Sequence, residues 1–372
     1  GGKLACPKCG KACAGYDKRQ RRWRHLDTCQ LKTLLVADVP RVECSEHGVV
    51  TVSVPWAEPG SGFTALFEAL VIDWLKEASI SAVSERLRLS WNAVDGIMQR
   101  AVKRGLSRRD ALSPRHISVD ETAYRKGHDY VTVVTDQEQS AVLYVAENRE
   151  TGSLAEFYEL LSEDQRAGIE SVCMDMWPAY IRATRDAIPD ADSKIAFDRF
   201  HVAQYLGKAV DQVRRQEHRQ LIRQGDERMK GSKYQWLRNR SNMSWHQQRS
   251  FSELRQSSLK TARAWAIKDL ASRLWDYRSR TWAEKGWKRL INWMARSRLK
   301  PMQTTSKTLR KHLWGILTAV IRKVDNSHAE SMNSRIKTLK SRARGFRNKA
   351  RFRYAIYFHL GGLQLYPEGI KG

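Results

Sequence analysis

The sequence has few acidic residues, few cysteines beyond its first segment and no long apolar run. It contains 40 Asp and Glu against 66 Lys and Arg, a net charge of +26. So large a basic excess, spread through sequence that looks folded, indicates a polyanionic partner. No apolar run approaches the ~18–20 residues of a membrane-spanning helix, and the start lacks a signal-peptide pattern. A membrane or secreted protein is therefore not expected, while the Gly-Gly start without Met leaves room for an upstream segment.

The cysteines have the pattern of metal ligands in a reduced protein rather than of a disulfide framework. Five of the six precede residue 45, in the pairs Cys6-x-x-Cys9 and Cys44-x-x-His47 and two single positions. Each pair is spaced so that two ligands face one ion, and four such ligands predict one structural Zn²⁺ in a zinc ribbon spanning residues 1–58. The spare candidate ligands are Cys13, Cys29 and His25. Unrelated reduced thiols are the alternative.

Residues 60–110 have the apolar spacing of three helices, the last two of which predict a helix-turn-helix. Ser79 or Ser81 is the expected N-cap of the second helix, and Ser90 that of the third. Trp91–Arg104 is the candidate recognition helix, and the basic stretch Lys18–His25 precedes it in the chain. The residues expected to contact DNA here are Arg22, Arg24, Trp91, Asn92, Arg100 and Lys103. A plain helix-packing unit and a solvated loop are the alternatives.

Residues 111–205 read as five strands with helices in the last two gaps. The runs are HISVD, YVTVVT, AVLYVAE, SVCMD and KIAFD. Three hairpin strands followed by alternating helix and strand predict a sheet that begins antiparallel and ends parallel. That is the order of a ribonuclease H-like domain, in which the first and fourth strands are neighbours ~4.8 Å apart.

Asp120 and Asp175 each end one of those runs, on the first and fourth strands. We expect their carboxylates to meet at the carboxyl edge of the sheet and to require a cation between them. Glu121 should point to the opposite face. Asp136 and Asp198 also end strands and are the main competitors, because an acid in that position is usually a turn residue.

Residues 206–300 read as an all-helical insertion rich in Trp and Arg, most of whose Trp residues are expected in the core. In residues 301–372, Pro301–Thr305 reads as a loop, and Asn326-Ser327-His328-Ala329-Glu330 opens a helix. Glu330 is the third candidate metal ligand. Lys337, two turns later, and Arg335 are expected to face DNA phosphate. The apolar tail is expected to pack on the sheet.

The stretches CPKC…CSEH, ISVDETAYRKGHDYVTVVTD, MDMWPAY, FDRFHV and NSHAESMNSRIKTLKSRARGFRN resemble insertion-sequence DDE transposases of the ISL3 family, from Cys6 to about Leu363. The resemblance implies a triad of Asp120, Asp175 and Glu330 on two Mg²⁺ or Mn²⁺ ions. It also implies zinc on Cys6, Cys9, Cys44 and His47, although a fourth Cys is commoner in the family. In related DDE transposases a Tyr and an Arg precede the Glu, and a Lys follows it. Here Lys323 and Asn326 stand in the first two places, whereas Lys337 matches the Lys, so the resemblance implies a role for Lys337 alone.

The expected fold class is therefore multidomain α+β and α/β: a zinc ribbon, a helix-turn-helix, and a ribonuclease H-like mixed sheet interrupted by an all-helical insertion. The expected bounds are 1–58 for the zinc ribbon and 60–110 for the helix-turn-helix. The ribonuclease H-like domain is expected at 111–205 and 301–372, and the helical insertion at 206–300. The expected function is cleavage of duplex DNA at the element's terminal inverted repeats and strand transfer into target DNA. This would be done by a homodimer or larger assembly in the bacterial cytoplasm, at the nucleoid. A metal-dependent nuclease or resolvase, and a non-catalytic zinc-containing DNA-binding regulator, are the alternatives.

Overall fold

The computed structural model describes residues 4–125, 129–147, 151–257, 259–323 and 327–370. The chain forms two compact units, of which the first combines Gly1–Ala111 with Lys337–Gly372 and the second is Leu112–Ile336. The expected mixture of small sheet, helices and larger mixed sheet is confirmed. Within the described residues, no helix is both long enough and apolar enough to cross a bilayer.

The first unit begins with an antiparallel four-stranded sheet in sequential order. Its strands are β1 Leu4–Ala5, β2 Ala12–Arg24, β3 Leu34–Cys44 and β4 Gly48–Thr51. The long ribbon of β2 and β3 pairs Arg24 with Leu34 at one end and Ala14 with Glu43 at the other. Trp23 and Val39 are buried on its inner face, and Ala57 packs with them. The basic stretch Lys18–His25, for which a solvated loop was one interpretation, lies in β2 up to Arg24.

Three helices follow in the first unit, as predicted: α1 Ala65–Glu77, α2 Ile80–Leu87 and α3 Trp91–Ser107. Ser79 caps α2 by accepting a hydrogen bond from the backbone N–H of Ala82, and Ser90 caps α3 through Ala93. A serine at this position satisfies one of the helix's unpaired N–H groups, which is why the two boundaries were readable from sequence. Between the helices Arg88 adopts a left-handed conformation with φ of 54°.

The second unit contains a five-stranded sheet of order β7-β6-β5-β8-β9. Its strands are β5 His116–Ala123, β6 Tyr130–Asp136, β7 Ala141–Ala146, β8 Ser171–Met174 and β9 Ile195–Phe197. β5, β6 and β7 pair antiparallel, whereas β5, β8 and β9 pair parallel. The predicted ribonuclease H-like strand order is confirmed, including the contact of the first and fourth strands of this sheet.

Helices make up the rest of the second unit. Those near the sheet are α4 Thr151–Glu159, α5 Glu163–Ala167, α6 Pro178–Ala187 and α7 Ala191–Lys194. The long insertion holds α8 Arg199–Arg223, α9 Lys233–Leu237, α10 Trp245–Ser257, α11 Leu259–Arg273 and α12 Arg280–Arg296, and is followed by α13 Lys300–Lys311 and α14 Leu313–Arg322. One hydrophobic core runs from the sheet into these helices and includes Trp236, Trp265, Trp275 and Trp287. Most insertion tryptophans are therefore core residues, as expected.

Two expectations for the end of the chain are wrong. Pro301–Thr305 is not a loop but lies in α13, because a proline in the first turn of a helix removes no hydrogen bond that the helix would make. The apolar tail forms α16, Lys349–Leu360, which packs against α3 in the first unit rather than on the sheet. The connecting helix α15, Ser327–Arg342, crosses the boundary between the units. Asn326, expected to open that helix, lies outside the described residues.

Candidate active site

Three aspartates lie in one row across neighbouring parallel strands. Val119 of β5 pairs with Met174 of β8, which in turn pairs with Phe197 of β9. The next residue in each case is an aspartate: Asp120 lies within β5, whereas Asp175 and Asp198 directly follow β8 and β9. Equivalent positions on parallel strands point to the same face of a sheet, ~4.8 Å apart. The register therefore sets Asp120 beside the position of Asp175 where the parallel pairing ends, although β5 continues to Ala123, so Asp120 does not end its strand as the sequence indicated.

Asp198 differs from the other two aspartates because both of its oxygens have partners in the helix that follows it. One of its oxygens accepts a hydrogen bond from the backbone N–H of Phe200, capping α8, and the other lies 2.8 Å from Nδ1 of His201. Asp198 is fully buried. It therefore positions His201 beside the row.

Two further acids, Asp136 at the end of β6 and Glu121 within β5, have partners outside the aspartate row. Asp136 accepts backbone hydrogen bonds from Glu138 and Gln139, which closes the turn after β6. Glu121 accepts a hydrogen bond from the hydroxyl of Tyr180 on α6, a contact separate from the aspartate row.

The electrostatics of the row follow from crowded carboxylates beside one imidazole. Burial raises the pKa of Asp120 to about 6 and the charge of Asp198 adds to the rise, although the Glu121 N–H and His201 oppose it. For His201, burial lowers the pKa, but the bond to Asp198 and the charges of Asp175 and Asp120 outweigh it and raise the pKa to about 9. His201 is therefore a cation at neutral pH and offsets part of the negative charge.

Helix α15 reaches the row through a residue that sequence analysis missed. The side-chain amide of Asn333 donates a hydrogen bond of 2.6 Å to Oδ2 of Asp120. Glu330 lies three residues earlier, so it shares a helix face with Asn333. The side chain of Glu330 is exposed. On the same helix, Nε2 of His328 lies 3.3 Å from the hydroxyl of Ser140. An Asn one turn after the candidate Glu was the available signal for this contact.

The carboxylates are not gathered as tightly as a metal-bound set. Within the described ranges, one group of three or more His, Cys, Asp or Glu residues has all its ligand atoms within 4.8 Å, and that group is Cys6, Cys9, Cys44 and His47. Oδ2 of Asp120 faces Asn333, while Oδ1 of Asp120 and of Asp175 accept the N–H of the following residue. The donor set of Asp120, Asp175 and Glu330 is nevertheless all oxygen, which suits a hard divalent cation.

The Cys₃His cluster has the dimensions of a zinc site. The Sγ atoms of Cys9 and Cys44 are 3.7 Å apart, and Nδ1 of His47 is 3.6 Å from Cys44 and 3.8 Å from Cys6. Ligands placed tetrahedrally about ~2.0–2.3 Å from one ion would be separated by about that much. The backbone N–H of Glu46 and the His47 side chain lower the pKa of Cys44 to about 6, which favours the thiolate.

The spare zinc candidates are used elsewhere or stay outside the cluster. His25 is hydrogen-bonded to the hydroxyl of Thr64. The Cys13 thiol donates to the carbonyl of Lys11 and packs beside Cys6 and Cys44, but it is not one of the four clustered ligands. Cys29 is exposed.

The basic residues proposed for DNA contact differ in availability. Arg22, Asn92, Lys103, Arg335 and Lys337 are exposed. Arg24 is only 5% exposed, with hydrogen bonds to the carbonyls of His25 and Thr33 and an ion pair with Asp27. Its guanidinium is a structural group, so we do not retain it as a DNA contact.

Two residues of the candidate recognition helix are also engaged within the first unit. The guanidinium of Arg100 bonds to buried Glu68 at 2.6 Å. The ring of Trp91 lies 4.4 Å beneath the guanidinium of Arg351. DNA contact by Arg100 or Trp91 stays a prediction, now with a competing internal role.

Comparison with known proteins agrees with this organisation. A family model described as transposase matches residues 117–356, a helix-turn-helix model of transposase family ISL3 matches 52–102, and a zinc-finger model of transposases IS204/IS1001/IS1096/IS1165 matches 3–47. The transposase of insertion sequence IS1001 from Bordetella parapertussis is 27% identical over 354 residues, covering 94% of this chain and 87% of the relative. The transposase of IS1557 from Mycobacterium tuberculosis is 27% identical over 370 residues, covering 92% and 82%.

These matches support two parts of the predicted function, DNA binding and DNA cleavage. The helix-turn-helix and transposase models indicate a DNA-binding enzyme with a divalent-metal DDE domain, and the zinc-finger model coincides with the Cys₃His cluster. Since the transposase model spans more than half of the chain, the protein belongs to the ISL3 family of insertion-sequence transposases.

Proposed function

We propose that this transposase cuts DNA at the ends of its element and joins the freed 3′ ends to target DNA with one carboxylate site of Asp120, Asp175 and Glu330. The observation that carries the proposal is the register that sets Asp120 beside Asp175, with α15 tied to Asp120 through Asn333. Glu330 lies one helical turn before Asn333 on the same helix face, which supports its role as the third ligand.

The three carboxylates would hold two Mg²⁺ ions, or Mn²⁺, because their ligands are all oxygen. Such ions, when bound, activate the attacking oxygen and stabilise the leaving oxygen of a phosphodiester. The chain itself would orient the DNA: His201, held by Asp198, lies beside the row and would donate a hydrogen bond to a phosphate oxygen. Lys337 and Arg335, which follow Glu330 on α15, would bind phosphates of the DNA backbone.

Recognition of the element's terminal inverted repeats would fall to the zinc ribbon and the helix-turn-helix. The ribbon would be held by one structural Zn²⁺ on Cys6, Cys9, Cys44 and His47, whose spacing suits that ion. Arg22 on the ribbon, with Asn92 and Lys103 on α3, are exposed and would contact DNA. The predicted domain bounds also remain part of this proposal.

Joining two element ends to one target requires two active sites, so we propose a homodimer or larger assembly acting at the nucleoid in the bacterial cytoplasm. The strand-joining step separates this function from the closest alternative. A metal-dependent nuclease with the same acids would release cut ends, but it would not attach them to a second DNA.

The test is cleavage of a labelled duplex that carries the inverted repeat, with Mg²⁺ and with Ca²⁺, in the presence of a target plasmid. Asp175→Ala should abolish cutting and joining while duplex binding persists. The matched control is Asp136→Asn, since asparagine can keep the turn hydrogen bonds that Asp136 accepts. Asp136→Asn should cut and join like the parent.

The proposal fails if Asp175→Ala cuts like the parent. Cleavage at the repeat boundary without any joined product would favour the nuclease. Tight binding by every variant, with no Mg²⁺-dependent cleavage by the parent, would favour a non-catalytic regulator.

A further inference from the structure

The seven tryptophans between residues 206 and 300 divide sharply by exposure. Four are buried in the core, but Trp245 is 66%, Trp282 62% and Trp293 39% exposed. An indole left in water forgoes a large burial gain, and apolar surface left exposed in a cluster often marks a binding site. Two of the three exposed rings, Trp282 and Trp293, lie on one helix, α12.

Those two rings share a face of α12 with three cations. At 3.6 residues per turn, residues 282, 285, 289, 293 and 296 fall on one side of the helix. We call this set the α12 stripe: Trp282, Lys285, Arg289, Trp293 and Arg296, all of them exposed. The opposite side of α12 packs into the core through Trp287, Leu290 and Met294. The stripe is therefore a solvent face that combines two aromatic and three basic residues.

The stripe and its surroundings attract an anion. Lys285 places its ammonium 4.9 Å from the ring of Trp282. The neighbouring acid, Glu284, is paired with Lys288 at 2.6 Å, and that lysine lowers the pKa of Glu284. On the adjacent helix α13, Arg310 donates a hydrogen bond to Asn292, which extends the basic surface sideways. Charge complementarity therefore favours a polyanion.

The residues just before α12 lie against those that flank the aspartate row. Arg199, next to Asp198, has its guanidinium 5.8 Å from the ring of Trp275. The ammonium of Lys323, on the chain that leads to α15, donates to the carbonyls of Trp275 and Tyr277. Trp275 in turn packs edge-on against Trp287 of α12, with ring centroids 5.4 Å apart. Through Trp275, helix α12 is therefore connected to a residue that adjoins the aspartate row.

We propose that the α12 stripe binds an unpaired DNA strand beside the scissile bond. The base faces of a duplex are already stacked, whereas an exposed indole can stack on a base that has left the helix. The interleaved Lys and Arg would hold the phosphates of the same strand, and the stripe spans about 21 Å along the helix. Binding of unpaired DNA is independent of the carboxylate chemistry, although its placement beside the cut rests on the proposed function.

The experiment measures binding of the full chain to a fluorescein-labelled oligothymidine and to a duplex of the same length, without added divalent metal. The double variant Trp282→Ala with Trp293→Ala should weaken single-strand binding by about tenfold or more for each ring that stacks. Duplex affinity should not change. Trp282→Phe, which keeps an aromatic face, should retain most of the single-strand affinity.

Trp245→Ala is the matched control, since Trp245 is equally exposed and also lies near an arginine, Arg249, but sits on α10. It should leave both affinities unchanged. Arg289→Gln should weaken single-strand binding and make it less sensitive to salt, because one phosphate contact is lost.

The inference is overturned by unchanged single-strand affinity in the double variant, or by an equal loss for single strand and duplex. It is also overturned if the double variant changes only the sedimentation of the free protein, which would assign the stripe to self-association. Because the assay needs no cleavage, a failure of the proposed active site would leave these results intact. Matching thermal melts of parent and variants exclude loss of folding.

Discussion

The amide of Asn333 donates a 2.6 Å hydrogen bond to Oδ2 of Asp120, across 213 positions of sequence. The other oxygen of Asp120 accepts the backbone N–H of Glu121. Both oxygens are therefore oriented, one by the strand and one by α15. Glu330 lies one turn before Asn333 on the same helix, so this bond helps to hold the segment that carries the candidate third ligand.

Asn333→Ala should lower the rate of Mg²⁺-dependent cleavage by about 10–100-fold, since groups that orient metal ligands have effects of that size. The Mg²⁺ concentration for half-maximal rate should rise, while affinity for the inverted-repeat duplex stays the same. Ser331→Ala, an exposed change on the same helix, is the control and should behave like the parent. An unchanged Mg²⁺ dependence in Asn333→Ala would contradict the positioning role.

The His201–Asp198 pair should make stability depend on pH. The pKa of His201 is raised to about 9 from an ordinary value of 6.5, so the pair stabilises the fold fully below pH 6.5 and loses that contribution as pH rises to 9. His201→Gln should therefore cost about 1–3 kcal/mol near pH 6.5 and much less near pH 9.

The measurement is urea unfolding of parent and His201→Gln at several pH values, without added divalent metal. The difference between the two proteins is compared, so that the titration of groups remote from His201 cancels. A difference that stays constant from pH 6.5 to 9 would show that His201 does not gain its charge from this pair.

The Cys₃His cluster predicts one zinc ion per chain. Cys9→Ser and His47→Ala should each lose zinc and the ordered ribbon, because a small metal site supplies folding energy that its own core cannot. Cys29→Ser is the control, since Cys29 is exposed and outside the cluster. Metal analysis of the purified proteins checks this directly. Zinc retained by His47→Ala but lost by Cys29→Ser would assign the fourth ligand to Cys29.

Two arginines two residues apart on β2 should have different effects when replaced. Arg22 is exposed, and Arg22→Gln should weaken duplex binding and reduce the slope of log affinity against log salt by about 0.9. Arg24 is buried with charged and carbonyl partners, so Arg24→Gln should cost about 1.5–3 kcal/mol of stability instead. Salt titrations of DNA binding and denaturant melts distinguish the two. Equal salt slopes for parent and Arg22→Gln would remove Arg22 from the DNA surface.

The parts of the fold that follow from local patterns could be predicted from the sequence. The five strands of the larger sheet are short apolar runs, and the caps at Ser79 and Ser90 mark helix starts. Strand β2 was not predicted, because charged side chains occupy much of it and obscure any alternation of apolar and polar residues. Its pairing with β3 defines the strand instead. The docking of α16 on α3 was equally unreadable, since an apolar helix face does not specify its partner.

In the candidate site, too, local sequence patterns indicated some residues, whereas others depended on tertiary contacts. Adjacent strands and strand-end acids pointed to Asp120 and Asp175, but the choice between Asp198 and Asp136 required side-chain partners. Asp198 lies in the row and orients His201, whereas Asp136 only closes a turn. Likewise, burial of Arg24 depends on Asp27 and on the fold of the first unit, and neither is encoded in a run of basic residues.

The first unit is built from both ends of the chain, and this has a consequence for synthesis on the ribosome. Arg104 of α3 donates to the carbonyl of Leu365, and Asp95 of α3 is paired with Arg351 at 3.1 Å. A side chain at Gly105 would meet Leu363 at 2.7 Å, so the tail lies directly on the helix. The candidate recognition helix therefore acquires its full support only once the final residues have been translated. A polypeptide truncated shortly after Glu330 would contain every candidate catalytic acid yet lack a finished DNA-reading unit.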